Sequence, residues 1–384
     1  MGFEFYTVPR IVFESGAVKK LPFICAGYGK HYLIVTGGGS LRRSGVLGTL
    51  LKGMEKAGIK CTVFDSVKGE PTPETVDAAV QCGIHASVDA VLGIGGGSAM
   101  DTAKAAAGVI PNGGSVLQFL EGVGAGAKII ADPLPFIAVP TTAGTGTEVT
   151  KNAVIMSAKD KFKVSMRDER LLARVALVDP AMTVSVPPGV TAASGMDAIC
   201  QLIESLATRY ANDFCDAMAI YHTPRAMNAL RRACADGNDI EARETMSLAA
   251  LSSGMCLANS GLGAAHGIGA GLGAVLGVTH GVACGMLLPH VMRYNIARGI
   301  TKYAVLADAV CGKSYTNETD AALAVSDAVS DLCAEVGLPK RLGELGVTPD
   351  TAKELAAASM GSSMRKNPVA FTQEECEKFI LSLI

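Results

Sequence analysis

Between residues 30 and 180 the chain alternates two hydrophobic periods. Short β-branched apolar runs, Tyr32-Leu33-Ile34-Val35-Thr36, Cys61-Thr62-Val63-Phe64-Asp65, Ala90-Val91-Leu92-Gly93-Ile94 and Phe136-Ile137-Ala138-Val139-Pro140, read as strands. Between them, Ser44 to Ala57 and Pro73 to Ala86 carry apolar residues at helical spacing. The alternation predicts an α/β fold, a Rossmann-like doubly wound and mainly parallel sheet with helices on both faces. Right-handed crossovers then put a ligand crevice at the carboxyl ends of the strands.

After Val175-Ala176-Leu177-Val178-Asp179-Pro180 the strand pattern stops, and Val186-Pro187-Pro188-Gly189 reads as a hinge into long Ala/Leu/Met-rich helical stretches. At 384 residues two domains are the default. The expected division is a dinucleotide-binding α/β domain over 1–184 and an all-α metal and substrate domain over 185–384, with the site between them. No charged residue occurs between Glu244 and Arg293, a length sufficient for a membrane span. The segment also carries Asn259, His266, His280 and many glycines, and Pro289 is expected to break it. Lipid would leave those polar atoms unpaired, so buried helices are expected and no membrane partner.

Composition narrows the function. A formal charge of −2 without any Lys/Arg run excludes the electrostatic footprint of a nucleic-acid binder and leaves a small-molecule ligand. Eleven cysteines are scattered without a CxxC pair, which suits reduced thiols rather than a disulfide framework. No charged-then-apolar leader opens the chain, so a cytoplasmic location is expected.

Three turns have the chemistry of a dinucleotide cradle. Gly95-Gly96-Gly97-Ser98 follows a strand and opens the helical run Ala99 to Ala107, where bare backbone N–H groups and a helix amino terminus suit a pyrophosphate. Pro140-Thr141-Thr142-Ala143-Gly144-Thr145-Gly146-Thr147 follows another strand and offers hydroxyls; its plainer reading is a Thr-rich capping loop. Gly37-Gly38-Gly39-Ser40 follows the Tyr32 strand, where an NAD-binding protein often carries a carboxylate. None is present there, and Arg42 and Arg43 suit a 2′-phosphate, so the choice between NAD(H) and NADP(H) falls to NADP(H).

Asp197 and Gln201 are four apart in a helical stretch and share a face, and His266 and His280 lie in the uncharged segment. An Asp, an amide and two imidazoles suit a divalent metal such as Fe or Zn, although buried histidines are more often satisfied core residues.

These residues carry a family resemblance. GGGSAMDTAK (Gly95 to Lys104), PTTAGTGTEVT (Pro140 to Thr150), ALVDP (Ala176 to Pro180), GMDA (Gly195 to Ala198) and the pair His266 and His280, in LGAAHG and THG, resemble the iron-containing, group III alcohol dehydrogenases over the whole length. The resemblance implies a Rossmann-like domain, a helical domain and a metal in the cleft. It assigns metal and catalytic roles to Asp197, His266 and His280, and cofactor contacts to Gly97, Ser98, Thr141, Thr142 and Thr145. Asp101 and Lys161 are further cofactor candidates, and a homo-oligomer, dimer or larger, is implied.

Three positions depart from the family pattern, two of them at the metal and proton-relay positions. Gln201 stands where a fourth His ligand is usual, and Ala270 where a second His is often credited with proton relay. Glu70 replaces a common Asn near the cofactor. The expected function is metal-assisted interconversion of a primary alcohol and its aldehyde with a nicotinamide cofactor. The alternatives are a metal-independent reductase on the same fold, a lyase resembling dehydroquinate synthase, and a nucleotide-binding protein that has lost catalysis.

Overall fold

The computed structural model describes residues 2–384. Among them, eight strands are found: β1 (Ile11–Phe13), β2 (His31–Gly37), β3 (Lys60–Val67), β4 (Ala90–Gly95), β5 (Phe136–Pro140), β6 (Asn152–Ser157), β7 (Phe162–Arg167) and β8 (Val175–Val178). Six form one sheet in the order β1-β8-β5-β4-β2-β3, with every pairing parallel. Strand order reverses between β2 and β4, so the crevice expected of such a sheet opens beyond their carboxyl ends, beside Gly37–Ser40 and Gly95–Ser98.

The helices that matter for the site are α1 (Val46–Lys56), α2 (Pro73–Ala86), α3 (Gly97–Asn112), α4 (Pro188–Ala207), α5 (Asp213–Ala235), α6 (Ile240–Asn259), α7 (Ala264–Leu276) and α8 (His280–Ile296). Alternation along the strands builds both faces of the sheet. Leu33, Val35 and Val91 pack with Val76 and Val80 of α2 and Ala103 of α3, whereas Tyr32, Ile34, Leu92 and Ile94 pack with Leu47, Leu50 and Met54 of α1. A third core, mainly helical, is built around Met196, Leu202, Ile268, Leu272 and Leu287. All eleven cysteines are free thiols. Among the described residues, no helix is long and apolar enough to cross a membrane.

Three local expectations need correction. Pro187 and Pro188 form no loose hinge: Pro187 is the N-cap and Pro188 the first residue of α4, where a missing N–H costs nothing. Pro289 does not break its segment but lies inside α8. The carbonyl its ring leaves unbonded, four residues back at Gly285, accepts from Cys333 Sγ at 3.3 Å, and Pro289's own carbonyl accepts from Ser326 Oγ at 3.0 Å. Finally, β6 and β7 form an antiparallel hairpin outside the main sheet that the strand reading passed over.

The two halves meet where Gly146, at φ 61°, lies against Gly254 of α6. A Cβ on Gly254 would stand 2.2 Å from the Gly146 carbonyl oxygen, so neither backbone can retreat without opening the interface. Helix propensity alone predicts that Gly254→Ala stabilises by about 1 kcal/mol. Overpacking at this contact reverses the sign, and the expected result is a loss of about 1–3 kcal/mol in a denaturant titration. A variant at least as stable as the parent would show that the backbones do not meet here.

Candidate active site in the interdomain cleft

A cavity of about 530 Å³ lies between the halves. Gly97, Ser98, Asp101, Thr145 and the hairpin face line one side, and Asp197, Gln201, His266, His280 and Lys366 the other. Gly96 caps α3, whose amino-terminal N–H groups open toward this space. The threonine loop packs directly on the glycine turn: a Cβ on Gly97 would stand 3.0 Å from Thr145 Oγ1, and Thr141 N donates to the Gly95 carbonyl at 2.8 Å. Thr142 Oγ1 lies 3.6 Å from the corresponding point on Gly96. Gly37, Gly38, Gly39 and Ser40 sit at the end of β2, beside this turn but outside the cavity lining.

Three of the expected metal residues converge. Asp197 Oδ1 is 3.2 Å from His266 Nε2 and 4.0 Å from His280 Nε2, and the two imidazole rings meet edge to face with centroids 5.4 Å apart. Their ligand-type atoms, with Cys284 Sγ, all lie within 4.8 Å of one another. Glu204 Oε2 lies 2.7 Å from His266 Nδ1, and a carboxylate there takes the Nδ1 hydrogen. Nε2 then faces the Asp197 oxygen as a second acceptor. A shared proton or a cation resolves that opposition, and about 3.4 Å between ligand atoms is what a tetrahedral ion with bonds near 2.1 Å requires.

The charge states agree with this geometry. Burial opposes ionisation of Asp197, but the bond from His266 and the nearby His280 and Lys163 win, and its pKa is lowered. Burial also opposes a charged His266, yet Cys284, Cys200 and Asp197 outweigh it and raise its pKa well above the usual value, so that without a cation it holds on Nε2 the proton shared with Asp197, which a bound metal would displace. Burial, assisted by Lys163, pushes His280 down to about 3, so its imidazole stays neutral and able to ligate. The donor set of one carboxylate and two imidazoles fits a divalent metal.

Gln201, the fourth expected ligand, is tied into a hydrogen-bond network. Its Oε1 accepts from Ser253 Oγ at 2.9 Å, and its Nε2 faces Asp197 Oδ2 at 3.4 Å and the Thr145 carbonyl at 3.3 Å. The Ser253 bond engages one of the two lone pairs of the oxygen that would ligate, and the amide nitrogen orients Asp197 while bridging to the threonine loop.

Two cofactor candidates also need correction. Asp101 lines the cavity but spends its carboxylate on Thr147 Oγ1 and on Val154 N at 3.1 Å, which makes it a brace for the loop and hairpin. Lys161 lies at the hairpin tip at φ 54° and pairs with Glu354 on the surface. The lysine of this hairpin that lines the cavity is Lys163, whose Nζ bonds Glu70 Oε1 at 3.0 Å. Alternation along Lys163, Ser165 and Arg167 carries that signal, since all three line the cavity once the segment is a strand. Beside the Gly37–Ser40 turn a carboxylate is present after all: Asp65 of β3 pairs with Arg42. It comes from the neighbouring strand, which a reading confined to the end of β2 overlooks. Cys284, Glu204 and Ser253 likewise escaped the sequence reading.

Comparison with known proteins accords with this arrangement. Residues 9–180 match the family described as iron-containing alcohol dehydrogenase, and residues 191–384 match the C-terminal region of the same family. The chain is 31% identical over 380 residues to the NAD-dependent methanol dehydrogenase of Bacillus methanolicus, covering 98% of each chain. It is 34% identical over 349 residues to the 1,3-propanediol dehydrogenase of Klebsiella pneumoniae, covering 89% of this chain and 88% of the relative. A solved 1,3-propanediol oxidoreductase superposes with a TM-score of 0.93 at 30% identity, covering all of both chains. With both halves matched and the cleft residues converging, the chain belongs to the iron-containing alcohol dehydrogenase family.

Proposed function

We propose that the protein interconverts a primary alcohol and its aldehyde with NAD(H), holding a divalent metal on Asp197, His266 and His280. The observation that carries this reading is the convergence of those three side chains, with Oδ1 and Nε2 3.2 Å apart, in the cavity that the glycine turn also lines. When bound, the nicotinamide exchanges a hydride and the divalent metal polarises the carbonyl oxygen.

The chain's own residues supply the positioning. The amino end of α3 and the Thr141, Thr142 and Thr145 hydroxyls receive the dinucleotide phosphates. Glu204 keeps the His266 hydrogen on Nδ1 and leaves Nε2 directed into the cleft, and Gln201 steadies the other oxygen of Asp197. Ala270 carries no titratable atom, so the alcohol proton leaves by a route other than the side chain at that position.

NAD(H) is favoured over NADP(H) because Asp65 both neutralises Arg42 and sets a negative charge beside the turn where a 2′-phosphate would lie. The Bacillus methanolicus relative is named as NAD-dependent, which supports the same choice.

Asp197→Ala is expected to lose bound metal by elemental analysis and at least about a hundredfold in kcat, since it removes one of three ligands. Full activity in a metal-free Asp197→Ala protein would overturn the metal role. Glu204→Gln is expected to weaken metal affinity about 10–100-fold, read by competition with a chelator, while coenzyme binding persists. Asp65→Asn removes one charge, worth about 1 kcal/mol at the surface, so the NADPH/NADH ratio of kcat/KM is expected to rise about fivefold. A ratio unmoved by Asp65→Asn would place coenzyme selection elsewhere.

A further inference from the structure

The outer end of the cavity carries more positive charge than the protein uses. Of the carboxylates lining the cavity besides Asp197, Glu70 is paired with Lys163 at 3.0 Å, Glu121 with Arg167 at 2.8 Å, and Asp101 with Thr147 and Val154. Lys366 and Arg365 line the same cavity, and neither has a carboxylate partner among the described residues. Arg365 Nη1 reaches only the Met360 carbonyl, at 3.1 Å.

Lys366 is the more telling of the two. It is half-buried, its Nζ makes no hydrogen bond among the described residues, and its nearest aromatic face, Tyr210, is 5.8 Å away. A partly desolvated ammonium without an acceptor is unfavourable unless something else supplies one. Burial lowers its pKa, and Arg167 and Lys151 push the same way against Glu121 alone. The local field is thus cationic. Ser362 and Ser363 also line this end, and neither hydroxyl has a hydrogen-bond partner among the described residues.

The position suits a substrate. Lys366 Nζ lies against Gly261, where a Cβ would stand 2.5 Å from it. Gly261 lies five residues before His266 on the segment entering α7, so chain reach keeps the ammonium within roughly 15 Å of the metal ligands. That is the span of a short-chain molecule, not of the dinucleotide, whose phosphates are expected at the opposite wall by Gly97 and Thr145.

We propose that this end of the cavity is an anion subsite, in which Lys366 and Arg365, with the Ser362 and Ser363 hydroxyls, receive the terminal carboxylate, sulfonate or phosphonate of a short-chain aldehyde. The proposal rests on the alcohol–aldehyde reading above and names the substrate class for the same site. The Lys366 side chain can be changed without disturbing the chain around it: its backbone carbonyl accepts from Thr208 Oγ1 at 2.8 Å and from Arg209 N at 3.1 Å, and a substitution leaves both anchors in place.

The test compares 4-oxobutanoate, sulfoacetaldehyde and phosphonoacetaldehyde with butanal, using the full-length, metal-loaded enzyme. At least one anionic aldehyde is expected to exceed butanal in kcat/KM by about tenfold or more, through KM, with an advantage that shrinks as salt rises. Which anion leads identifies the head group. Lys366→Met is expected to cut the anionic-to-neutral ratio about tenfold, and Lys366→Arg to restore most of it. Butanal matching every anion, or a ratio unmoved by Lys366→Met, overturns the proposal. If no aldehyde is turned over, the catalytic reading fails, and the subsite is judged by calorimetry with 3-hydroxypropane-1-sulfonate against butan-1-ol. Tighter binding of the sulfonate that Lys366→Met abolishes supports it; equal binding of the two overturns it.

Discussion

A single buried ammonium holds the glycine-turn side of the cleft together. Lys104, on the buried face of α3, has no exposed surface, and its Nζ lies within hydrogen-bond reach of the carbonyls of Thr147 (2.7 Å), Thr150 (2.9 Å) and Asn152 (2.8 Å). The hydroxyls of Thr147 and Thr150 are also within reach, at 3.0 and 2.9 Å. Burial pulls its pKa down to about 8, while Asp101 and Glu148 oppose the shift. Backbone carbonyls that would otherwise be stranded inside the protein are thereby satisfied, and the threonine loop and the start of β6 are fixed to the helix that opens at the glycine turn.

From that anchor the constraint passes to the other half. Thr145 packs on Gly97, its carbonyl accepts from Gln201, and Gln201 in turn addresses Asp197. The Gly146–Gly254 contact brings the helical domain close enough for this relay. Gln201, where a His is usual in the family pattern, thus serves as an interdomain tie. On the proposed reading, three ligands would leave an open position of the kind a catalytic metal uses, and Cys284 Sγ is the remaining ligand-type atom in the cluster.

The candidate site was legible in part. Motifs close to a strand end and a helix start, such as Gly95–Ser98, declare themselves because their function depends on local backbone shape. Lys161 and Lys163 show the limit: two residues apart, they differ in role because one sits at the hairpin tip and the other on the strand face turned to the cleft, and the strand itself was not anticipated. Asp65 of β3 and Arg42 of the short helix that follows β2 meet because β2 and β3 are neighbours, which is a matter of sheet order. Glu204 is close to one helical turn beyond Gln201, visible as a position, but its bond to His266 spans 62 residues of sequence.

Consecutive residues were enough to read the alternating α/β half, the helical half and the glycine and threonine turns, because periodicity and short-range backbone chemistry are local, whereas the set Asp197, His266 and His280 rested on the family resemblance. Folding alone settled that Gln201 gives its oxygen to Ser253, that Lys163 rather than Lys161 enters the cleft, and that Lys366 stands there without a counterion. Each of those outcomes depends on which distant side chain fills the space opposite, and hydrogen-bond partners and desolvation act through space rather than along the chain.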